Sequence, residues 1–242
     1  MEFLNRVARW EHSSSSSNNN NKLHHRRWWH HGKGELQKKP FPPLTTTRRL
    51  QLEKEIALLE TLAESDEAAT ELSKLWIKER GSNAANALQI AQTLLQAGAL
   101  QQAETVLTLM IQEEGVHFVA PLSQLASLYY IQGRLQESKD LHELVLEQKP
   151  WFLNSLVGIH EVCKRMDNAE KELAKWDREL IPPLEEKHRS LRSAWVQRMV
   201  DKAKGKLDQA EQGLHSFFDD EGYYSLHGSE GSVLVEDENS WQ

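Results

Sequence analysis

Apolar residues recur at spacings of three and four along the central two thirds of the chain, and each such run predicts a helix. The first run is 50–63, LQLEKEIALLETLA. Ser65 follows as an N-cap, with Asp66 and Glu67 in the first turn, where the helix dipole favours anions. Further helices are predicted over 66–80, ending at Gly81; over 83–97, ending at Gly98; and over 99–114, ending at Gly115. The clearest pair lies within 121–150. Leu122, Leu125, Ala126 and Tyr129 share one face of its first helix, and Leu135, Leu141, Leu144 and Val145 form the apolar side of its second. Gly133 between them can take the positive φ that ends a helix, and Pro150 closes the pair because it cannot continue the second helix. Helices are then predicted over 151–166 and 169–180, with Pro182-Pro183 as a break, and over 185–204 and 206–218 on either side of Gly205.

The turns carry a period. Ser65, Gly98, Gly133, Asn168 and Gly205 are separated by 33, 35, 35 and 37 positions. A helix on each side of a turn every 34 residues or so is the mark of a helical-hairpin repeat. The Leu–Ala–Tyr spacing of 122–129, the Gly133 turn and Pro150 resemble the tetratricopeptide (TPR) repeat. Ser138 stands where that family usually has Ala, while Leu100, Ala103 and Leu107, and again Leu207, Ala210 and Leu214, keep the spacing that brings two helices close over a small residue. His160 and Glu172 stand where the family prefers small residues, so the pair around Asn168 is expected to pack differently. Lys149-Pro150-Trp151, Gly158-Ile159, Trp176, Leu180, Pro182-Pro183 and Trp195-Val196 further resemble a group of little-characterised TPR-like proteins of plant and algal plastids. Here Ile181 interrupts that group's Leu-Pro-Pro. These resemblances imply an all-α chain, a right-handed α-solenoid of antiparallel helix pairs with disordered N- and C-terminal tails. They also imply an organelle scaffold with no established activity.

Charge divides the chain into the same parts. Residues 1–49 hold ten Lys or Arg against three Glu, residues 50–218 hold nineteen basic and twenty-six acidic side chains, and residues 219–242 hold seven acids with no Lys or Arg. The expected organisation is a disordered basic head over 1–46, a TPR-like domain over 47–218 and a disordered acidic tail over 219–242. The last helix is expected to cap the array with the polar face of Asp208, Gln209, Glu211 and Gln212. Runs of Ser and Asn followed by Arg, Trp and Pro cannot bury enough surface to offset chain entropy. The acid-poor, Arg- and Ser-rich head resembles an organelle transit peptide, which implies a plastid or mitochondrion; without that role for the head the chain is expected in the cytoplasm. Its Arg26-Arg27-Trp28-Trp29 could touch an anionic membrane surface or nucleic acid, by the charge of Arg and the stacking of Trp. His24, His25, His30 and His31 flank those residues, but no Cys or acid completes a metal set and the arginines oppose a cation. No apolar run reaches the length of a membrane span.

Candidate chemistry is sparse. No phosphate loop, dinucleotide fingerprint, HExxH or paired Cys motif occurs. His160 and Cys163 are three apart, but they continue the stripe of Leu156 and Ile159, which reads as core. Trp76, Trp151, Trp176 and Trp195 read as packing anchors. The expectation is a protein without catalysis, cofactor or metal. Its partner would be another protein, held as a peptide or helix in a concave wall. By TPR register that wall holds Leu88, Gln92 and Leu95, then Ser123, Ser127 and Tyr130, then Val157, Glu161, Lys164 and Arg165. Lys164-Arg165 resembles half of a carboxylate clamp, but Val157 and Glu161 replace the other half. An RNA-binding array of the pentatricopeptide type, which also repeats every 35 residues, is the rival. The net-acidic body disfavours it, because gripping RNA requires neutralising phosphates.

Overall fold

The computed structural model of the chain describes residues 46–176 and 186–220. The transit-like head with its histidine tract, the tail beyond Asp220, and Leu180 with Pro182-Pro183 lie outside the described residues. Nine α-helices are described: α1 Thr46–Leu62, α2 Glu67–Ile77, α3 Gly81–Gln96, α4 Leu100–Glu114, α5 Val119–Ile131, α6 Leu135–Gln148, α7 Leu153–Lys164, α8 Ala169–Trp176 and α9 Arg189–Asp220. A short 3-10 turn, Glu186–His188, leads into α9. From α1 to α8 each helix packs on the next.

The turns form for the reasons the sequence suggests. Gly98 and Gly133 both adopt φ of 75°. At the first, the Ala99 N–H donates to the Leu94 carbonyl at 2.9 Å and the Gly98 N–H to Leu95 at 3.1 Å. At the second, Arg134 donates to Tyr129 at 2.8 Å and Gly133 to Tyr130 at 3.1 Å. These paired bonds satisfy the last carbonyls of α3 and α5 and require a left-handed residue at the turn. The Ser65 hydroxyl accepts from the Glu67 N–H at 3.3 Å, although the N-cap of α2 falls one residue later, at Asp66; Asn168 sits directly before α8, its carbonyl accepting from Glu172 at 3.1 Å. Ala103 and Ala126 are fully enclosed. The departure at Ser138 is absorbed there, because its hydroxyl donates to the Ala126 carbonyl at 2.7 Å.

Gly205 departs from expectation. It lies inside α9, a single helix of 32 residues, and is not among the positive-φ glycines. One glycine costs a helix about 1 kcal/mol. That is too little to break a helix whose Trp195, Val196, Met199, Val200 and Ala203 are all buried. There is therefore no turn or fifth hairpin at this position. Asp208 and Gln209 are exposed, and Glu211 meets Arg49 at 3.2 Å.

The first and last described helices pack together. α9 packs along α1, joined by Arg49–Glu211, Lys204–Glu60 at 3.2 Å and Arg192–Asp66 at 3.3 Å. Residue numbers rise on one helix as they fall on the other, so the two run antiparallel. Arg192 also donates to the Ala63 carbonyl at 3.2 Å, fixing the α1–α2 turn. A second closure ties α1 and α2 to the α6–α7 junction. Lys149 donates to Glu55 and to Glu79, each at 2.8 Å, and the Trp151 indole N–H donates to Glu55 at 2.8 Å. The Trp76 and Phe152 rings lie 4.4 Å apart.

Candidate partner surface

Two layers arise from the α3–α8 packing. α3 touches α5, and α5 touches α7, while α4 lies against both α3 and α5, and α6 against both α5 and α7. The first helices α3, α5 and α7 thus form one layer, and α4, α6 and α8 alternate with them. α2 also reaches both α3 and α5. Since α4 already fills the cleft between those two helices from one side, α2 lies on the other. α5 shows the consequence: Val119, Ala120, Pro121, Leu122 and Ser123 are all buried, five consecutive positions that point in every direction around the helix.

The expected wall is therefore only partly open. Leu88 and Ser123 are buried, which corrects their placement on an accessible wall. Leu95 is half-buried and packs on the core, and Tyr130 is half-buried. Gln92, Ser127, Val157, Glu161, Lys164 and Arg165 are exposed. On α3 the face passes from enclosed to open between Leu88 and Gln92, and on α5 between Ser123 and Ser127. Each step is four residues, one helical turn along one face. The open strip therefore lies on the later halves of α3 and α5 and runs along α7 from Val157 to Arg165. Ile131, which sequence reasoning missed, is its most exposed large apolar side chain on α5 at 59%; on α7 Val157 is exposed to 57%. Its signal was available: it lies four residues after Ser127, on the same face.

The charges of the strip already have partners. Lys164 pairs with Glu161 at 3.0 Å, and that ammonium holds the Glu161 carboxyl below the usual carboxylate range. His160 Nδ1 lies 3.5 Å from the same carboxylate. The Arg165 guanidinium stacks 4.6 Å from the Tyr130 ring centre. The half-clamp suggested by Lys164-Arg165 is thus engaged within the chain, which leaves the strip's exposed apolar side chains as its distinctive feature.

Residues with candidate chemistry resolve into packing contacts. Cys163 is enclosed, and burial pushes its thiol up, away from a reactive thiolate. His142 on α6 bonds through Nδ1 to the Ser155 hydroxyl of α7 at 3.1 Å, and Ser155 donates to Ser123 of α5 at 3.1 Å. All three side chains are buried, so the line links three helices and faces no solvent. Burial pushes the His142 imidazole down to about 4, keeping it neutral. Gly158 is required at this joint, since a Cβ there would run into Cε1 and Nε2 of His142.

Glu172 also finds its explanation here. It is buried against Lys139 at 3.1 Å, with Lys175 at 2.9 Å, and so pins α8 to α6 by charge at a position where a small residue was expected. At the Lys149 cluster, burial works against the ammonium. The Glu55 and Glu79 carboxylates outweigh it and hold its pKa above the ordinary lysine value. The Lys149-Pro150-Trp151 element thus joins the first hairpin to the rest of the chain, and Trp151 and Trp195 are buried.

Among the described residues, no group of three or more His, Cys, Asp or Glu is placed to hold a metal ion, and no helix is long and apolar enough to cross a membrane. No protein-family model, curated protein or solved structure matches the chain. What the described residues define is an all-helical, repeat-like domain of nine helices packed in sequential pairs.

Proposed function

We infer that the chain is a non-catalytic scaffold that binds another protein, as a peptide or helix, along the open strip of α3, α5 and α7. In this reading α3–α8 are TPR-like pairs of a right-handed α-solenoid, and the basic head directs the chain to an organelle. The observation that supports it is the exposure of Val157 and Ile131 on neighbouring first helices of a domain that otherwise buries most of its large apolar side chains. Exposed apolar side chains on consecutive helices suit an amphipathic helix or an extended apolar peptide.

The test is affinity purification of the endogenous protein and of a Tyr130→Ala/Val157→Asp variant, with mass spectrometry of companions and of the protein's own N-terminus. A companion retained by the wild type and lost from the variant, with a mature start near residue 46, is the expected result. Co-purifying RNA with no protein companion, and an intact head, would replace this reading with the nucleic-acid one.

A further inference from the structure

We propose that α2 is a resident, displaceable occupant of the face formed by α3, α5 and the start of α7. The partner that takes its place is an amphipathic helix carrying Phe where α2 carries Trp76. This deepens the scaffold reading and rests on it.

Three observations support α2 as an occupant. It lies across the layer of first helices on the side opposite α4, reaching α3, α5 and Phe152. This is where a helix bound to that layer would lie, and the open strip continues the same face. Its buried residues Ala68, Leu72 and Trp76 fall at intervals of four on one stripe, as in a helix docked in a groove. Two residues past its end, Glu79 pairs with Lys149 at 2.8 Å.

Two further observations make it displaceable. Trp76 is 1% exposed, yet its indole N–H has no hydrogen-bond acceptor among the described residues. A buried donor without an acceptor carries an uncompensated desolvation cost. Phe, which has no donor, fills an apolar site without that cost. Moreover α2 has only 11 residues and ends in Ile77, which is 40% exposed. A helix shorter than about 12 residues is marginal on its own in water. Its packing on α3 and α5 is slight beside its packing on α1, so leaving this face breaks few contacts while α1 and α3 keep it tethered. The partner's chemistry follows from α2: a small residue, Leu and Phe at intervals of four, then an acid three positions after the Phe to meet Lys149.

The probe is a fluorescently labelled peptide of residues 66–80 carrying Trp76→Phe, titrated into the full chain. Anisotropy is expected to show binding to the wild type. Leu72→Ala in the chain, which weakens the resident helix but is absent from the peptide, should tighten binding about tenfold or more. Hydrogen exchange on the wild-type chain gives a readout that does not depend on that variant folding. The peptide should speed exchange of α2 amides and slow exchange in α3 and α5. Failure to bind a Leu72→Ala chain that retains its helical circular dichroism overturns the proposal, as does binding that leaves α2 exchange unchanged. A natural companion that protects Ser127 to Arg165 without freeing α2 would overturn this proposal while leaving the scaffold reading standing.

Discussion

Gly158→Ala tests the α6–α7 joint by the sign of its effect. At an ordinary helix position this substitution stabilises by about 1 kcal/mol, because alanine is the better helix former. Gly158 is helical and only half-buried, so helix propensity and exposure alone predict a gain. The structure predicts a loss. The new methyl would meet Cε1 and Nε2 of His142, whose ring is buried and held through Nδ1 by Ser155. Forcing a methyl into a packed seam costs about 1–3 kcal/mol. If the ring gives way, the His142–Ser155 bond is strained or lost, which adds about 1–3 kcal/mol for buried groups left unpaired. Set against the propensity gain, the net expectation is a destabilisation of about 2–3 kcal/mol, or about 4–12 °C in melting temperature for a domain of this size. Urea denaturation followed by circular dichroism at pH 7 measures it. The control is the same substitution in a His142→Ala background, where the obstruction is gone and Gly158→Ala should stabilise by about 1 kcal/mol. A neutral or stabilising Gly158→Ala in the wild-type background would refute the close packing of His142 on α7.

The same histidine sets a pH dependence. Its folded pKa is about 4, while the unfolded chain titrates near 6.5, so between those values the unfolded state binds more protons; stability worth about 3 kcal/mol is full above pH 6.5 and lost as pH falls toward 4. The urea midpoint should fall less steeply across that window in His142→Asn than in the wild type, and equal slopes would show that His142 is not enclosed as described. Lys149→Met removes the ammonium shared by Glu55 and Glu79. Leaving buried carboxylates unpaired should cost about 3–5 kcal/mol in urea denaturation, and adding Glu55→Gln and Glu79→Gln should restore part of it. Two glycines should respond oppositely: Gly133→Val, at φ 75°, should lose about 1–2 kcal/mol, whereas Gly205→Ala, inside α9 with nothing within 4 Å of the new Cβ, should gain up to about 1 kcal/mol. A destabilising Gly205→Ala, measured by thermal melting, would restore a turn at that position.

How much of this was legible depends on the range of the interaction. Apolar spacing, Gly98 and Gly133 mark helices and turns because both are decided within a few residues: the helix by its 3.6-residue period, the turn by a backbone conformation that favours glycine. Gly205 misled because an isolated glycine states only a preference of about 1 kcal/mol. Burial of α9 on α1, nearly 150 residues away in sequence at Glu60–Lys204, overrides it.

The candidate surface divides in the same way. Periodicity placed Gln92, Ser127, Val157 and Glu161 on exposed faces of the first helices. It could not show that Leu88 and Ser123, one turn earlier on two of those faces, are enclosed. That depends on contacts made far along the chain, such as the bond from Ser155 of α7 to Ser123. By itself the sequence determined the local elements, the apolar stripe of each helix and the pairing of neighbours joined by short turns. Only the tertiary structure decided that α1 and α9 pack on each other, which polar residues become buried partners, and how much of the inner face stays open. The physical reason is that a helix's period fixes which side it must bury, whereas the choice of which distant surface buries it rests on shape and charge brought together across the whole chain.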